Sequence, residues 1–200
     1  IYNFVSMSSI FQSHYAMVAK DIGKYNKTGS LLDIGTGPGW LLLALKKESP
    51  GLSISGIDIS QGMVSCAERN LKNSGYGKDV QLKTGAAHSI PFPDRTFDVV
   101  VTTGSIHHWS EPELSMKEIY RVLKEGGRAY VYDIVKKIPS DIVSNLKKDY
   151  GKFRTALLWL HSFEEPFYDL NEFVSLVEGS GLTLIGTGFT GALCSLYLKK

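Results

Sequence analysis

The sequence predicts an α/β fold built on a doubly wound, mostly parallel sheet whose last two strands form an antiparallel hairpin. Residues 30–40 run from apolar positions into an aspartate and then place glycine at every second position, which indicates a buried strand, a tight turn and a helix start. A second strand pattern, 52–57, ends in Asp58. Two further strand patterns, 182–188 and 192–198, are joined by a turn too short for a parallel crossover, so they must be antiparallel.

The remaining patterns alternate between strand and helix, as a doubly wound sheet requires. Further strands are predicted at 80–84, 97–102 and 128–135, which gives seven in all. Helices are predicted at 41–47, 60–74 and 111–124, and the glycine pair 126–127 is expected to end the last of these. Three more helices are predicted, from Ser8 or Ser9 to about Tyr25, from Pro139 to about Leu160 and from Asp169 to about Gly179.

Length and composition are those of an ordinary globular domain, and 200 residues fit one domain with a sizeable core. The net charge of +2 gives no electrostatic basis for binding nucleic acid. Cys66 and Cys194 form neither a C-x-x-C pair nor a disulfide framework. No apolar run reaches bilayer-spanning length and no signal-peptide pattern opens the chain, so we expect a cytoplasmic location without membrane insertion.

The glycine turn has the properties of a ligand site. Gly35 and Gly37 can take positive φ, and their missing side chains let a ligand touch the backbone. Pro38 suits the first turn of the following helix, and the free amides there favour a negatively charged ligand. A glycine-rich turn alone is weak evidence, because many such turns are only structural.

The position of Asp58 adds evidence for a ligand site, because this residue follows the second strand nineteen residues after Gly39. A carboxylate at the tip of the second strand of a βαβ unit is placed to accept both hydroxyls of a ribose. Met63, in the first turn of the next helix, would then lie near the base of a nucleoside. The alternative is that Asp58 only caps the helix that begins after Ser60.

Five motifs occur along the chain in the order LLDIGTGPG, GIDIS, IPFPDRTFDVVV, IHHW and EIYRVLKEGGRAYVYDI. Together they resemble the class I S-adenosylmethionine-dependent methyltransferases, particularly those of the ubiquinone/menaquinone-biosynthesis type. The resemblance implies a Rossmann-like seven-stranded domain, S-adenosylmethionine as the cofactor and a small-molecule methyl acceptor. It divides the single domain into an N-terminal helical cap (1–29), a cofactor-binding core (30–135), and acceptor-side helices with the terminal hairpin (136–200).

The resemblance also assigns roles at particular positions. The backbone N–H of Ala87 would meet adenine, Thr103 to Ile106 would line the methionine part of the cofactor, and the N-terminal helix would bring Tyr15, and with it His14, over the pocket. The family commonly has an aspartate where this chain has Ala86, so that acceptor for the adenine amino group is missing, and His88 is interpreted as a solvated loop residue. The complete set of candidate cofactor residues is Tyr15, Asp33, Gly35, Thr36, Gly37, Gly39, Asp58, Ile59, Met63, Ala86, Ala87, Thr103, Gly104 and Ser105.

His107 is the candidate catalytic residue, because the resemblance puts it near the transferred methyl group. It could take a proton from an acceptor hydroxyl or thiol, since imidazole titrates near neutral pH. The alternative is that it only hydrogen-bonds its loop. Adjacent histidines cannot easily share one metal ion and no third ligand accompanies them, so no metal site is expected.

The function predicted is in-line transfer of a methyl group from S-adenosylmethionine to a small, partly apolar molecule. Such chemistry depends mainly on alignment and water exclusion. A nicotinamide-dependent oxidoreductase is a second hypothesis, opposed by the G-x-G-x-G spacing and the terminal hairpin. A non-catalytic cofactor-binding protein is a third, which the change at Ala86 keeps open. The oligomeric state stays open as well.

Overall fold

The computed structural model describes residues 9–151 and 167–200, in fourteen elements including one short 3₁₀ helix. The helices are α1 (Ser9–Gly23), α2 (Trp40–Glu48), α3 (Gln61–Asn73), α4 (Pro112–Val122), α5 (Ser140–Tyr150) and α6 (Leu170–Ser175), and the 3₁₀ helix is Ile106–His108. The strands are β1 (Thr28–Ile34), β2 (Gly51–Asp58), β3 (Val80–Thr84), β4 (Phe97–Thr103), β5 (Leu123–Asp133), β6 (Thr183–Thr190) and β7 (Leu193–Lys199).

The seven strands form one sheet in the order β3-β2-β1-β4-β5-β7-β6. Strands β1 to β5 pair in parallel, whereas β7 is antiparallel to both of its neighbours, β5 and β6. The predicted fold class is therefore confirmed. The strand order reverses between β1 and β4, and ligands of open α/β sheets bind in the crevice beyond the carboxyl ends of the strands at such a switch point.

Both faces of the sheet are buried under helices, and successive residues of a strand alternate between two apolar layers. On β4, Val99 and Val101 pack into the layer that includes residues of α1 and α2. Val100, between them, packs into the layer that includes residues of α4 and α6. This double coverage explains why the central strands read as continuous apolar runs.

The start of β5 differs from the prediction. Helix α4 ends at Val122 and β5 begins at once at Leu123, so the pair 126–127 does not stop the helix. Instead the pairing with β4 jumps from Phe97↔Leu123 to Val99↔Arg128. The glycines therefore lie in an irregular part of the strand, where Gly126 has φ +76°.

The ends of two other elements were also predicted only in part. Helix α5 covers the first half of the predicted 139–160 helix, and the second half falls largely in 152–166, outside the described residues. Helix α6 is shorter than predicted. Its start was correct, because Asp169 forms a capping box with Glu172.

Helix α1 is tied to the far end of the sheet. The ring Nε2 of His14, which is buried, accepts a hydrogen bond from the backbone N–H of Ala192 at 3.0 Å, in the turn between β6 and β7. Asp21 Oδ2 accepts hydrogen bonds from the hydroxyls of Tyr132 (2.9 Å) and Tyr197 (2.8 Å). His14 therefore holds the terminal hairpin, and this role accounts for its burial.

Candidate active site

A cavity of about 330 Å³ lies at the carboxyl ends of the central strands. Four connections line it, those that follow β1, β2, β3 and β4. Nine of the fourteen candidate cofactor residues contribute to its wall: Gly35, Gly37, Asp58, Ile59, Met63, Ala86, Ala87, Gly104 and Ser105. The candidate residues thus include members of every connection that forms the cavity.

The glycine turn after β1 is held against β2 and the β4 connection. The backbone N–H groups of Gly35 and Thr36 both donate to the carbonyl of Ile57, each at 2.9 Å. Gly35 has φ +74°, and a Cβ there would lie 2.5 Å from Ser105 Oγ, so the position requires glycine on two grounds. Gly37 has φ +51°, but a Cβ there would meet nothing within 4 Å.

Asp58 joins the glycine turn to the start of α3. Its Oδ2 accepts the backbone N–H of Gly37 at 2.8 Å, and its Oδ1 accepts the backbone N–H of Ser60 at 2.9 Å. The side chain is mostly buried, with 9% of the residue exposed, and it lines the cavity. Each carboxylate oxygen keeps acceptor capacity beyond these bonds. Asp58 therefore supports the start of the helix and also presents a carboxylate to the cavity.

Five candidate cofactor residues do not line the cavity. Gly39, with φ +82°, begins α2, where a Cβ would lie 3.1 Å from the side chain of Ala67. Tyr15 packs into the apolar layer shared by α1 and α2. The remaining three candidates, which lie behind the wall, are Asp33, Thr36 and Thr103. Burial, together with the nearby carboxylate of Asp58, raises the pKa of Asp33 to about 7.

The connection after β3 is a tight turn. The backbone N–H of Ser89 donates to the carbonyl of Ala86 at 3.1 Å, and the N–H of Gly85 donates to the carbonyl of Asp58 at 3.0 Å. The N–H of Ala87 has no acceptor among the described residues, so it is available to a ligand. His88 is half-buried and lines the cavity, which is not the position of a solvated loop residue.

The connection after β4 is organised by a buried carboxylate, that of Asp133 at the end of β5. Its Oδ2 accepts the backbone N–H of Ile106 at 3.0 Å and that of His107 at 3.3 Å, and its Oδ1 accepts that of Ile134 at 2.7 Å. The Nδ1 of His107 lies 2.9 Å from both carboxylate oxygens. Asp133 therefore fixes the loop that forms one wall of the cavity.

His107 itself does not line the cavity. Only 7% of its side chain is exposed, and its ring packs against Phe167 with centroids 4.4 Å apart. The neighbouring His108 and Trp109 do line the cavity. Trp109 also packs against the core.

Seven wall residues were not among the candidates: Ile34, Ser60, Gly85, His88, His108, Trp109 and Ser110. Each lies within a few residues of a strand end, which was the available signal. Asp133 was also missed, although an acid at the tip of a strand is the same signal that identified Asp58.

Within 9–151 and 167–200, no group of three or more His, Cys, Asp or Glu side chains could hold a metal ion, and no helix is long and apolar enough to cross a membrane.

Residues 32–131 match the protein family described as a methyltransferase domain. The ubiquinone/menaquinone biosynthesis C-methyltransferase UbiE of Geotalea uraniireducens is 30% identical over 195 residues, which cover 88% of this chain and 80% of that protein. The chain belongs to the class I S-adenosylmethionine-dependent methyltransferases, in the UbiE-like group. The predicted family is thus confirmed, S-adenosylmethionine is the cofactor of this family, and nothing in the comparisons supports a nicotinamide-dependent oxidoreductase.

Other methyltransferases match over different lengths. UbiE of Geobacter sulfurreducens is 32% identical over 111 residues, which are 55% of this chain and 43% of that protein. The chain spans about half the length of several curated relatives that it matches. A crystal structure from Methanococcus maripaludis, described as that of a candidate S-adenosyl-L-methionine-dependent methyltransferase, superposes with a TM-score of 0.77 at 25% identity, covering 100% of this chain and 90% of that one.

The cavity fits the cofactor of the family. The wall offers a carboxylate that can accept ribose hydroxyls, at Asp58, and a free backbone donor at Ala87. A side chain at Gly37 would project into open space, so the backbone there can be approached closely. Ile59 is 74% exposed, and with Met63 it gives the cavity wall an apolar surface.

Proposed function

We propose that this chain transfers a methyl group from S-adenosylmethionine to a small-molecule acceptor. The observation that carries the proposal is the cavity at the β1/β4 switch point, where the carboxylate of Asp58 and the glycine turn meet. When bound, the cofactor supplies an electrophilic methyl group with a neutral thioether as its leaving group. The protein then has to bind, orient and exclude water, and these tasks can supply much of the rate.

The wall residues divide into three groups by the part of the cofactor they would hold. Asp58 would accept the ribose hydroxyls, and the backbone N–H of Ala87 would donate to adenine N1 between Ile59 and Met63. The methionine part would lie along Gly35, Gly104 and Ser105. The residues behind the wall, Asp33, Thr36, Gly39 and Thr103, would act by fixing the shape of the turns.

His107 is proposed as the base that takes a proton from the acceptor. A carboxylate accepts hydrogen bonds, so the contact with Asp133 makes Nδ1 the donor and leaves the lone pair on Nε2. A hydroxyl or thiol would lose its proton there as its oxygen or sulfur attacks the methyl carbon.

The acceptor is proposed to be a small, partly apolar molecule of the quinone type. Several of the relatives are named for ubiquinone and menaquinone biosynthesis or for demethylmenaquinone. The proposed location is cytoplasmic, because Cys66 and Cys194 are both buried and neither forms a disulfide, as suits a reducing compartment. The near-zero net charge supports the absence of a nucleic-acid partner.

The proposal is tested in two steps. Calorimetric titration with S-adenosylmethionine, S-adenosylhomocysteine and NADH should show binding of the first two only. An assay for released S-adenosylhomocysteine with reduced quinones, phenols, thiols and amines should then show turnover with an acceptor. Binding of NADH without S-adenosylmethionine would overturn the proposal. Binding without turnover across all acceptors would favour the non-catalytic alternative.

A further inference from the structure

His88 occupies a fixed place in the cavity that the proposed function leaves without a role. It is half-buried, lines the cavity, and makes no hydrogen bond or ion pair with the part of the chain that the structure describes. A ring that is partly removed from water with no partner is poorly satisfied by the protein alone. A ligand group with complementary chemistry would satisfy it.

The turn that carries His88 is held on both sides. Before it, the N–H of Gly85 donates to the carbonyl of Asp58 at 3.0 Å. After it, the N–H of Ile90 donates to Glu118 Oε2 at 2.8 Å, and the carbonyl of Ile90 accepts from Arg121 at 2.9 Å. The backbone position of His88 relative to Asp58 is therefore set by β2, β3 and α4 before any ligand arrives.

The same turn limits what else can recognise the base of a nucleoside. The methyl side chain of Ala86 offers no acceptor, and its carbonyl accepts the N–H of Ser89 at 3.1 Å, which leaves it one lone pair. The N–H of Ala87 is a donor and suits adenine N1. The exocyclic amino group of adenine is a donor that needs an acceptor, and a neutral imidazole supplies one on its unprotonated nitrogen.

We propose that His88 is the residue that accepts the hydrogen bond from the adenine amino group and so selects adenine over other purines. This inference rests on the proposed binding of the adenosyl cofactor in this cavity. Ala87 would recognise N1 through its backbone and His88 would recognise the amino group through its ring. A site built to hydrogen-bond a ligand group discriminates against an analogue that lacks it.

The experiment compares the affinity of S-adenosylhomocysteine with that of its 6-desamino analogue, in which purine replaces adenine. The native protein should bind S-adenosylhomocysteine about tenfold more tightly, as expected for one hydrogen bond. In His88→Leu the two affinities should agree within about twofold, whereas His88→Gln, which keeps an acceptor, should retain a preference. His108→Leu is the matched control, because this histidine lines the cavity from the β4 connection, and it should change both affinities by the same factor.

Equal discrimination by the native protein and His88→Leu would overturn the inference, as would a native protein that binds both ligands equally. If His88→Leu does not fold, a His88→Gln variant with no preference for adenine also overturns it. A native protein that binds neither ligand contradicts the proposed function itself. The two failures are therefore distinguishable.

Discussion

The Oδ2 atom of Asp58 accepts a hydrogen bond from the backbone N–H of Gly37, 2.8 Å away, and so joins the tip of β2 to the turn after β1. The second oxygen of the same carboxylate binds the N–H of Ser60 at the start of α3. One side chain thus sets the relative positions of two connections that line the cavity, and it faces the cavity as well. Its removal should affect both the fold and the ligand.

Asp58→Ala should weaken the binding of S-adenosylhomocysteine by at least tenfold, because the ribose hydroxyls lose their acceptor. It should also lower the free energy of unfolding by about 1–3 kcal/mol, since two backbone N–H groups lose a partner. Calorimetric titration and urea unfolding measure the two effects. Asp58→Asn keeps one acceptor oxygen and should fall between the native protein and the alanine variant. An unchanged affinity in Asp58→Ala would remove the ribose assignment.

The two glycines of the turn should respond differently to alanine. Gly35→Ala combines left-handed strain with a Cβ 2.5 Å from Ser105 Oγ, so it should cost about 2–4 kcal/mol of unfolding free energy. Gly37→Ala carries only the strain, roughly 1 kcal/mol, but its methyl group would project toward the ligand. Denaturant unfolding and titration with S-adenosylhomocysteine separate the variants. Greater destabilisation by Gly37→Ala would contradict the close packing of the turn against Ser105.

The buried carboxyl of Asp33 should make stability depend on pH. Its pKa is raised to about 7 in the fold from an ordinary value of 3.8, so between these pH values the folded protein binds more protons than the unfolded chain. Stability therefore falls as pH rises through this range. The contribution of Asp33 to the free energy of unfolding should drop by about 2–3 kcal/mol between pH 5 and pH 8.

Asp33→Asn provides the matched comparison, because its amide is neutral and similar in shape. Relative to the native protein, this variant should gain about 2–3 kcal/mol of unfolding free energy on going from pH 5 to pH 8, as measured by urea unfolding at both pH values. A native-minus-variant difference that does not change with pH would show that Asp33 is ionised in the fold over the whole range.

Strand patterns predicted the sheet and the edge at which the cavity lies, whereas the individual candidates after β3 and β4 came from the resemblance to the family. The carboxyl ends of parallel strands meet at one edge, so residues that follow β1, β2, β3 and β4 had to converge there. Asp58 and the glycines of the turn could be found because their local patterns are strong.

The predictions that were wrong concern residues whose positions depend on contacts with residues distant in sequence. The glycine pair 126–127 has the local signature of a helix stop, but the pairing of β5 with β4 draws it into the strand. His14 was expected near the ligand, whereas its partner is Ala192, in a hairpin near the other end of the chain. Asp133 escaped notice because the strand was predicted to run to 135, which hid an acid that in fact ends the strand.

The contact between Asp133 and His107 predicts a particular tautomer. With Nδ1 at 2.9 Å from both carboxylate oxygens, the proton should reside on Nδ1 and the lone pair on Nε2. Nitrogen-15 NMR of the imidazole rings reports which nitrogen carries the proton. In Asp133→Asn the amide can donate to Nδ1, so the proton should move to Nε2. His14 is an internal reference, because its Nε2 accepts from the Ala192 N–H and should stay unprotonated in both proteins.

The same histidine then tests the proposed base. His107→Ala should keep the native affinity for S-adenosylhomocysteine, since His107 does not line the cavity, but should lower turnover by about 10²–10⁴ with an acceptor that must lose a proton. Asp133→Asn should lower turnover in the same direction by presenting a protonated Nε2. Native turnover in His107→Ala with intact binding would exclude the base, and a proton on Nε2 in the native protein would exclude the orientation from which the base was inferred.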